Sequence, residues 1–130
     1  MPRATILYAE DHAAVRSALK ETLEFEGWGV DACADGLTAL AKLEGEVCYD
    51  LLLFDNNLPG VDGLELARRA RVLAHRRATP LVITSASEVG AEARRVGADA
   101  FLRKPDDMRD VARTLARLLK ETREVRTVEG

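Results

Sequence analysis

The chain has 130 residues, of which 47% are hydrophobic and 32% charged, and its formal net charge is −3. This length fits one domain with one core, and the near balance of charge argues against a nucleic acid as the main partner. No apolar run approaches the ~20 residues of a membrane span, and the two cysteines form no metal-binding motif, so we expect a cytoplasmic protein.

Five short apolar runs alternate with longer segments of helical period. The runs are residues 5–9, 28–33, 50–54, 80–84 and 100–103. Between them apolar residues recur every three or four positions, as in the first helical stripe, which consists of Val15, Ala18, Leu19, Thr22 and Leu23. Asp62 with Glu65 three residues later has the spacing of a capping box and predicts the start of the third helix.

This alternation predicts a single α/β domain of five β-α units. Continuous apolar strands need helices on both faces, which favours a parallel, doubly wound sheet. We place the domain at residues 1–120 and expect residues 121–130 to form a polar, frayed tail.

Polar residues follow several of the predicted strands. Glu10 and Asp11 follow the first, Asp55 the third, and Lys104 the fifth. Because ligands of open parallel sheets bind beyond the carboxyl ends of the strands, we expect these side chains to converge. Two carboxylates ~4 Å apart repel by roughly 4 kcal/mol at an effective dielectric of 20. The cluster therefore needs either a protonated acid or a hard divalent cation.

The donor types narrow the choice of cation. Oxygen ligands without His or Cys favour Mg²⁺, Mn²⁺ or Ca²⁺ over zinc, and a site with few protein ligands favours Mg²⁺ completed by water and phosphate. Asp55 ends the most apolar strand and is our candidate nucleophile toward phosphorus. Ser85 can donate to a transferred phosphoryl group and Lys104 can neutralise its oxygens. The turn at Pro59 and Gly60 can direct the carbonyl of Asn57 toward the cation.

The chain resembles the receiver domains of two-component response regulators, in particular the chemotaxis-type, single-domain kind, from residue 5 to about residue 119. The matching features are Glu10-Asp11, the stretch from Asp55 to Gly63 with Pro59 and Asp62-Gly63, Ser85-Ala86, Phe101 and Lys104-Pro105. The resemblance implies a flavodoxin-like sheet of order 2-1-3-4-5 with five helices. It also implies that Asp55 accepts a phosphoryl group from a phosphohistidine on a histidine kinase or phosphotransfer protein.

Further roles follow from the resemblance. Mg²⁺ would be bound by Asp11, Asp55 and the main-chain carbonyl of Asn57, with Glu10 acting through water. The phosphoryl group would contact Lys104, Ser85 and Ala86. Ser85 and Phe101 would form the switch, and the surface of helix four, strand five and helix five would bind a downstream protein.

The sequence departs from the family pattern in two places that affect this surface. Asp106 and Asp107 follow Lys104-Pro105, where relatives usually carry an aromatic residue. The segment from Ser85 to Lys104 is a few residues shorter than usual, so we expect a stunted fourth helix.

Two alternatives remain. A haloacid-dehalogenase phosphatase also places a nucleophilic Asp at a strand end beside Mg²⁺, but it needs a second Asp two residues later, where this chain has Asn57. A degenerate receiver would keep the fold and act as a protein-interaction module without phosphorylation. We expect a phosphorylation-controlled module that catalyses only its own phosphorylation and slow dephosphorylation.

Overall fold

The chain folds as five strands that alternate with five α-helices. The computed structural model describes the backbone of residues 3–129 and the side chains of residues 3–122. The strands are β1 (Thr5–Ala9), β2 (Gly29–Cys33), β3 (Leu51–Asp55), β4 (Leu81–Ser85) and β5 (Ala100–Arg103). The helices are α1 (Ala13–Phe25), α2 (Gly36–Glu44), α3 (Gly63–Val72), α4 (Gly90–Arg95) and α5 (Val111–Glu129), with a 3-10 turn over Asp106–Asp110 before α5. The predicted alternation is confirmed.

The strands form one parallel sheet of order β2-β1-β3-β4-β5. The predicted doubly wound α/β sheet and its strand order are therefore confirmed. β2 lies on one side of β1 and β3 on the other, so the chain changes its direction of winding between β1 and β3. At such a switch point the loops at the carboxyl ends diverge and leave room for a ligand.

Side chains that alternate along each strand form two apolar layers. The α1/α5 face of the sheet includes Tyr8, Leu53, Val82 and Leu102, which belong to one cluster with Leu19, Leu23, Leu115 and Leu118 of the helices. The α2–α4 face includes Leu7, Leu52 and Ile83, clustered with Leu43, Leu66 and Ala93. Because successive side chains of a strand point to opposite faces, these memberships also fix the direction of the residues at the strand ends.

Two strands end one residue later than the sequence predicted. Asp55 is the last residue of β3 and pairs with Thr84, and Ser85 is the last residue of β4 and pairs with Arg103. Polar residues at these positions remain in the ladder because pairing uses the backbone and does not depend on the side chain. Asp55 is thus held by the sheet itself.

The predicted stripe of α1 is only partly buried. Leu19 and Leu23 lie in the core, whereas Val15, Ala18 and Thr22 are exposed. The exposed part of the stripe lines a groove of about 370 Å³, whose opposite wall is formed by Lys104, Pro105 and Met108.

The last two helices differ in length. α4 has six residues, which agrees with the stunted helix expected there. α5 continues to Glu129, so the backbone of residues 121–129 is helical where we expected a frayed tail. Two contacts support its continuation: Arg117 pairs with Glu121 at 3.3 Å, and the Thr122 hydroxyl donates to the Leu118 carbonyl at 2.9 Å. The proposed division of the chain at residue 120 falls inside this helix.

Across residues 3–129, every helix is too short or too polar to cross a lipid bilayer.

Candidate functional site

Three carboxylates meet where β1 and β3 end. Ala9 of β1 pairs with Phe54 of β3, so the residues that follow, Glu10 and Asp55, lie side by side at the switch point. Each of Glu10, Asp11 and Asp55 places a carboxylate oxygen within 4.8 Å of the other two. Glu10 is 1% exposed and Asp55 3% exposed, whereas Asp11 is open to solvent. The convergence predicted for these acids is present.

Lys104 reaches this cluster from the end of β5. Its backbone N–H donates to the Ser85 carbonyl at 2.8 Å, which extends the β4–β5 ladder by one step. Its ammonium group bonds Glu10 Oε1 and lies 3.3 Å from Asp55 Oδ1. One cation is therefore shared by two buried carboxylates.

The electrostatics leave the cluster short of positive charge. Burial raises the pKa of Asp55, Lys104 opposes this effect, and the charges of Glu10 and Asp11 add to the rise. Burial alone would lower the pKa of Lys104, but the hydrogen bond to Glu10 and the charges of Asp55 and Glu10 raise it overall. Three carboxylates against one ammonium group leave a deficit that a divalent cation would fill.

The donor set fits Mg²⁺. All donors of the cluster are carboxylate oxygens, and they lie close enough together to share one ion. Hard oxygen ligands in small number, with one side open to water, are the donors that Mg²⁺ prefers in proteins.

The remaining predicted site residues lie at the end of β4, in β5 and in the β3–α3 loop. Ser85 is buried, lies on the α2–α4 face with Ile83, and its Oγ accepts from the Ser87 N–H at 3.1 Å. Ala86 is exposed. Phe101 packs against the core of the same face. Asn57 is exposed in the β3–α3 loop.

The sequence profile of the response regulator receiver domain matches residues 6–124. The chain belongs to this family. It is therefore a receiver domain of two-component signalling, in a family of signalling domains and not of conventional enzymes, as the resemblance predicted. Because the chain belongs to the receiver family, the alternative of a haloacid-dehalogenase phosphatase has no support.

Relatives and solved structures agree with this assignment. The receiver is 37% identical over 121 residues to the transcriptional regulatory protein ResD of Bacillus subtilis, covering 88% of this chain and 48% of ResD. It is 37% identical over 128 residues to the sensory/regulatory protein RpfC of Xanthomonas campestris, covering 94% of this chain and 17% of RpfC. The chain thus spans less than half the length of either relative.

Among solved structures, the chemotaxis response regulator CheY4 of Vibrio cholerae superposes with a TM-score of 0.81 at 30% identity, covering 88% of this chain and 98% of CheY4. The receiver domain of the sensor histidine kinase PA1611 from Pseudomonas aeruginosa superposes with a TM-score of 0.81 at 27% identity, covering 90% of this chain and 98% of that domain. In that crystal structure a magnesium ion is coordinated in the active site cleft.

Sequence reasoning missed one hydroxyl of the receiver site. The Thr84 hydroxyl donates to Asp55 Oδ1 at 3.4 Å, a long and weak contact. Thr84 lies opposite Asp55 in the β3–β4 register and on the same face of the sheet. Strand alternation is the signal that could have found Thr84, because it places the side chains of Thr84 and Ser85 on opposite faces of the sheet.

Sequence reasoning also missed Tyr8, two residues before Glu10. Tyr8 is 1% exposed, and its hydroxyl has no hydrogen-bond partner among the residues whose side chains are described. Burial raises the pKa of Tyr8, and the charges of Glu10 and Asp55 raise it further. An unpaired buried hydroxyl costs about 1–3 kcal/mol of stability. Nothing in the local sequence pattern distinguishes Tyr8 from an ordinary core residue.

The β3–α3 loop that carries Asn57 is fixed at both ends. The Asn56 N–H donates to the Thr84 carbonyl at 2.8 Å, and the Asn56 carbonyl accepts from Gly63 at 3.2 Å. Asp62 Oδ1 accepts from the Glu65 N–H at 2.8 Å, the helix cap that the sequence predicted. In the middle of the loop, the Pro59 carbonyl accepts from the Gly36 N–H at 2.9 Å, which ties the loop to the start of α2.

Proposed function

We propose that Asp55 accepts a phosphoryl group from the phosphohistidine of a histidine kinase or phosphotransfer protein. The observation that carries this proposal is the buried carboxylate of Asp55, held at the end of β3 and 3.3 Å from Lys104 inside a cluster of three acids. Ionised Asp55 is the nucleophile, and the charge of Lys104 opposes the rise in the pKa of Asp55 that burial causes.

The transfer exchanges one bond to phosphorus for another. An oxygen of Asp55 forms a bond to phosphorus while the bond between phosphorus and the imidazole nitrogen breaks. The imidazole leaves with the electron pair of that bond and takes up a proton. Lys104 stabilises the charge on the phosphoryl oxygens during this step, because its ammonium group already lies beside the attacking carboxylate.

We assign the metal ligands as the side chains of Asp11 and Asp55, the main-chain carbonyl of Asn57 and, through water, Glu10. A bound Mg²⁺ would supply the positive charge that lets an anionic phosphoryl group approach three carboxylates. The exposure of Asp11 supports this assignment, because an ion beside it remains open to solvent and to an incoming phosphate.

We assign the phosphoryl contacts and the switch to Lys104, Ser85, Ala86 and Phe101. Ser85 and Phe101 share the α2–α4 face on neighbouring strands, so movement of the Ser85 hydroxyl toward the phosphoryl group changes the space beside the ring. The Phe101 ring sits over Gly90, since a Cβ at Gly90 would lie 3.2 Å from Phe101 Cδ2. The ring thus links the site to the start of α4.

The signal would leave through the surface of α4, β5 and α5. Phosphorylation changes the fraction of partner bound there only if the partner has different affinities for the two states of this surface. Inverting a 99:1 equilibrium needs roughly a 10⁴-fold difference in affinity. Slow self-dephosphorylation would reset the switch, with Asn57 orienting the attacking water.

The second candidate is a degenerate receiver that binds partners without phosphorylation. The six-residue α4 favours it, because the surface expected to carry the signal is reduced. The shared ion pair of Lys104 opposes it, since a domain without phosphorylation gains nothing from two buried carboxylates.

Labelling by a small phosphodonor separates the two candidates. Phosphoramidate, whose phosphorus–nitrogen bond resembles that of phosphohistidine, is mixed with the protein and Mg²⁺, and the phosphoprotein is detected by intact mass. We expect the wild type and Asp62→Asn to be labelled and Asp55→Asn to remain unlabelled. Asp62→Asn is the matched control because Asn caps a helix as well as Asp does. Equal labelling of Asp55→Asn, or no labelling of the wild type, would overturn the proposal.

A further inference from the structure

Tyr8 is an unusual core residue because its hydroxyl is buried without a partner. Among the side chains of residues 3–122, its oxygen is the single buried nitrogen or oxygen atom that lacks a hydrogen bond. A phenylalanine would fill the same space without leaving a donor unpaired. This hydroxyl can therefore form a hydrogen bond in another state of the protein without breaking one in this state.

The fold directs Tyr8 toward the phosphorylation site. Tyr8 and Glu10 lie two residues apart at the end of β1, so their side chains share one face of the sheet. Asp55 lies two residues after Leu53, and Lys104 lies two residues after Leu102. Both leucines belong to the same apolar cluster as Tyr8. The hydroxyl, the ammonium group and the two buried carboxylates thus lie on the α1/α5 face.

The partner that becomes available on this face is Glu10. In the structure, Glu10 Oε1 accepts from Lys104, and Glu10 Oε2 accepts from the His12 N–H at 3.2 Å. A phosphoryl group on Asp55 adds negative charge beside Lys104 and draws the ammonium group away from Glu10. Glu10 Oε1 then loses the ammonium donor that it has in the resting state, and its side chain is only 2% exposed.

We propose that Tyr8 is a positioning residue that donates a hydrogen bond to Glu10 in the phosphorylated state and so releases Lys104 to the phosphoryl group. This inference rests on the proposed function. It gives the unpaired hydroxyl a partner, and it gives Glu10 a neutral donor in place of the shared cation. The hydrogen bond from Tyr8 to Glu10 is specific to the phosphorylated state, because in the unphosphorylated state the Lys104 ammonium group is bonded to Glu10 Oε1.

Tyr8→Phe and Tyr49→Phe together test this role. Tyr49 is also buried, but its hydroxyl donates to Oδ2 of Asp31 at 2.6 Å, and Asp31 lies on β2, at the opposite edge of the sheet from β5. Each protein is titrated with beryllofluoride, a phosphoryl mimic, in the presence of Mg²⁺, and its urea unfolding is measured with and without the mimic. The lifetime of the phosphorylated protein is measured in parallel.

We expect Tyr8→Phe to unfold at the same or higher urea concentration than the wild type without the mimic, because the lost hydroxyl has no partner. We also expect it to bind beryllofluoride about tenfold more weakly, since the hydrogen bond to a charged acceptor is lost. Its phosphorylated lifetime should shorten several-fold. Tyr49→Phe should be less stable in both states and bind the mimic as the wild type does.

Three outcomes would overturn the inference. If Tyr8→Phe binds beryllofluoride as tightly as the wild type, Tyr8 plays no part in positioning Lys104. If Tyr8→Phe is destabilised without the mimic as Tyr49→Phe is, its hydroxyl already has a partner in the resting state. If the wild type fails to bind the mimic, the proposed function fails together with this inference.

Discussion

Lys104 Nζ lies 3.3 Å from Asp55 Oδ1 while it also donates to Glu10 Oε1, so one ammonium group is shared by two carboxylates that are each less than 5% exposed. This relationship joins the edge strand β5 to β1 in the interior of the sheet, across β3 and β4. It also makes the stability of the resting protein depend on the group that we propose handles phosphate.

Replacing Lys104 by Met should destabilise the metal-free protein. Removing one partner of a buried ion pair leaves uncompensated charge, and we expect the free energy of unfolding to fall by about 3 kcal/mol at pH 7. Urea unfolding in EDTA measures this loss, and added Mg²⁺ should restore part of it by supplying positive charge.

Lys20→Met is the control for this change. Lys20 pairs with Glu24 at 3.0 Å, but both side chains are at least 40% exposed. An exposed pair of this kind contributes less than about 1 kcal/mol. Equal losses for the two variants would show that Lys104 does not stabilise the buried acids.

Asp55→Asn should change how stability depends on pH. Burial raises the pKa of Asp55 in the folded state, so the folded protein holds this proton more tightly than the unfolded chain does. The stability that comes from this proton is present below the ordinary value of 3.8 and is lost as the pH rises through the raised pKa. Asp55→Asn removes this loss and should be more stable than the wild type at pH 7.

Urea unfolding from pH 3 to pH 8 in EDTA checks the expectation. The two proteins should converge at the acidic end, and Mg²⁺ should reduce their difference at pH 7 because it favours ionised Asp55. Asp62→Asn, an exposed change at the cap of α3, should leave the pH profile nearly unchanged. A wild type that gains stability between pH 4 and pH 6 relative to Asp55→Asn would contradict the argument.

Most of the fold was predictable because its signals are local. The alternation of apolar runs with helical stripes gave the parallel sheet, and the order of acids and lysine at the strand ends gave the cluster. The length of α5 was not predictable in the same way. Its last turns contain only two apolar residues, Val125 and Val128, which is too weak a periodic signal to separate a helix from a tail.

Contacts between distant parts of the chain could not be predicted from the sequence either. The pairing of Thr84 with Asp55 depends on the strand register, which the sequence left one residue uncertain. The unpaired hydroxyl of Tyr8 becomes evident only when the surrounding core is known. Nothing in the local sequence likewise indicates that Arg76 is buried, although it is 2% exposed in the fold.

Gly36→Ala should damage both the fold and the proposed metal site. A Cβ at Gly36 would lie 1.7 Å from the carbonyl oxygen of Val61, a backbone atom that cannot turn aside. The β3–α3 loop must shift to relieve this clash, and Asn57 lies on that loop. We expect the free energy of unfolding to fall by about 3 kcal/mol and Mg²⁺ to bind more weakly.

Gly45→Ala is the matched control at the other end of α2. Its Cβ would lie 3.5 Å from the nearest atoms, the carbonyl oxygens of Ala41 and Lys42, which is an ordinary contact. Urea unfolding and a Mg²⁺ titration of both variants distinguish the cases. If Gly36→Ala binds Mg²⁺ as Gly45→Ala does, the attachment of the loop to α2 does not position the metal ligands.

Arg76→Lys should destabilise the fold without affecting phosphorylation chemistry. The Arg76 guanidinium donates to the carbonyls of Lys42, Leu43 and Gly45 at 3.2, 3.0 and 3.0 Å, which caps the end of α2. Its central carbon also lies 5.0 Å from the centre of the Tyr49 ring. A lysine ammonium cannot reproduce this planar fork, so carbonyls are left unpaired and we expect a loss of about 3 kcal/mol.

Arg77→Lys is the control, because it makes the same substitution at a neighbouring residue that is exposed. It should change the free energy of unfolding by less than about 0.5 kcal/mol. Both variants, kept below their unfolding temperatures, should still be labelled at Asp55 by phosphoramidate, since Arg76 lies at the end of α2 that is remote from Lys104. Loss of labelling in folded Arg76→Lys would mean that the cap of α2 is coupled to the acid cluster, and the separation of scaffold from site would be wrong.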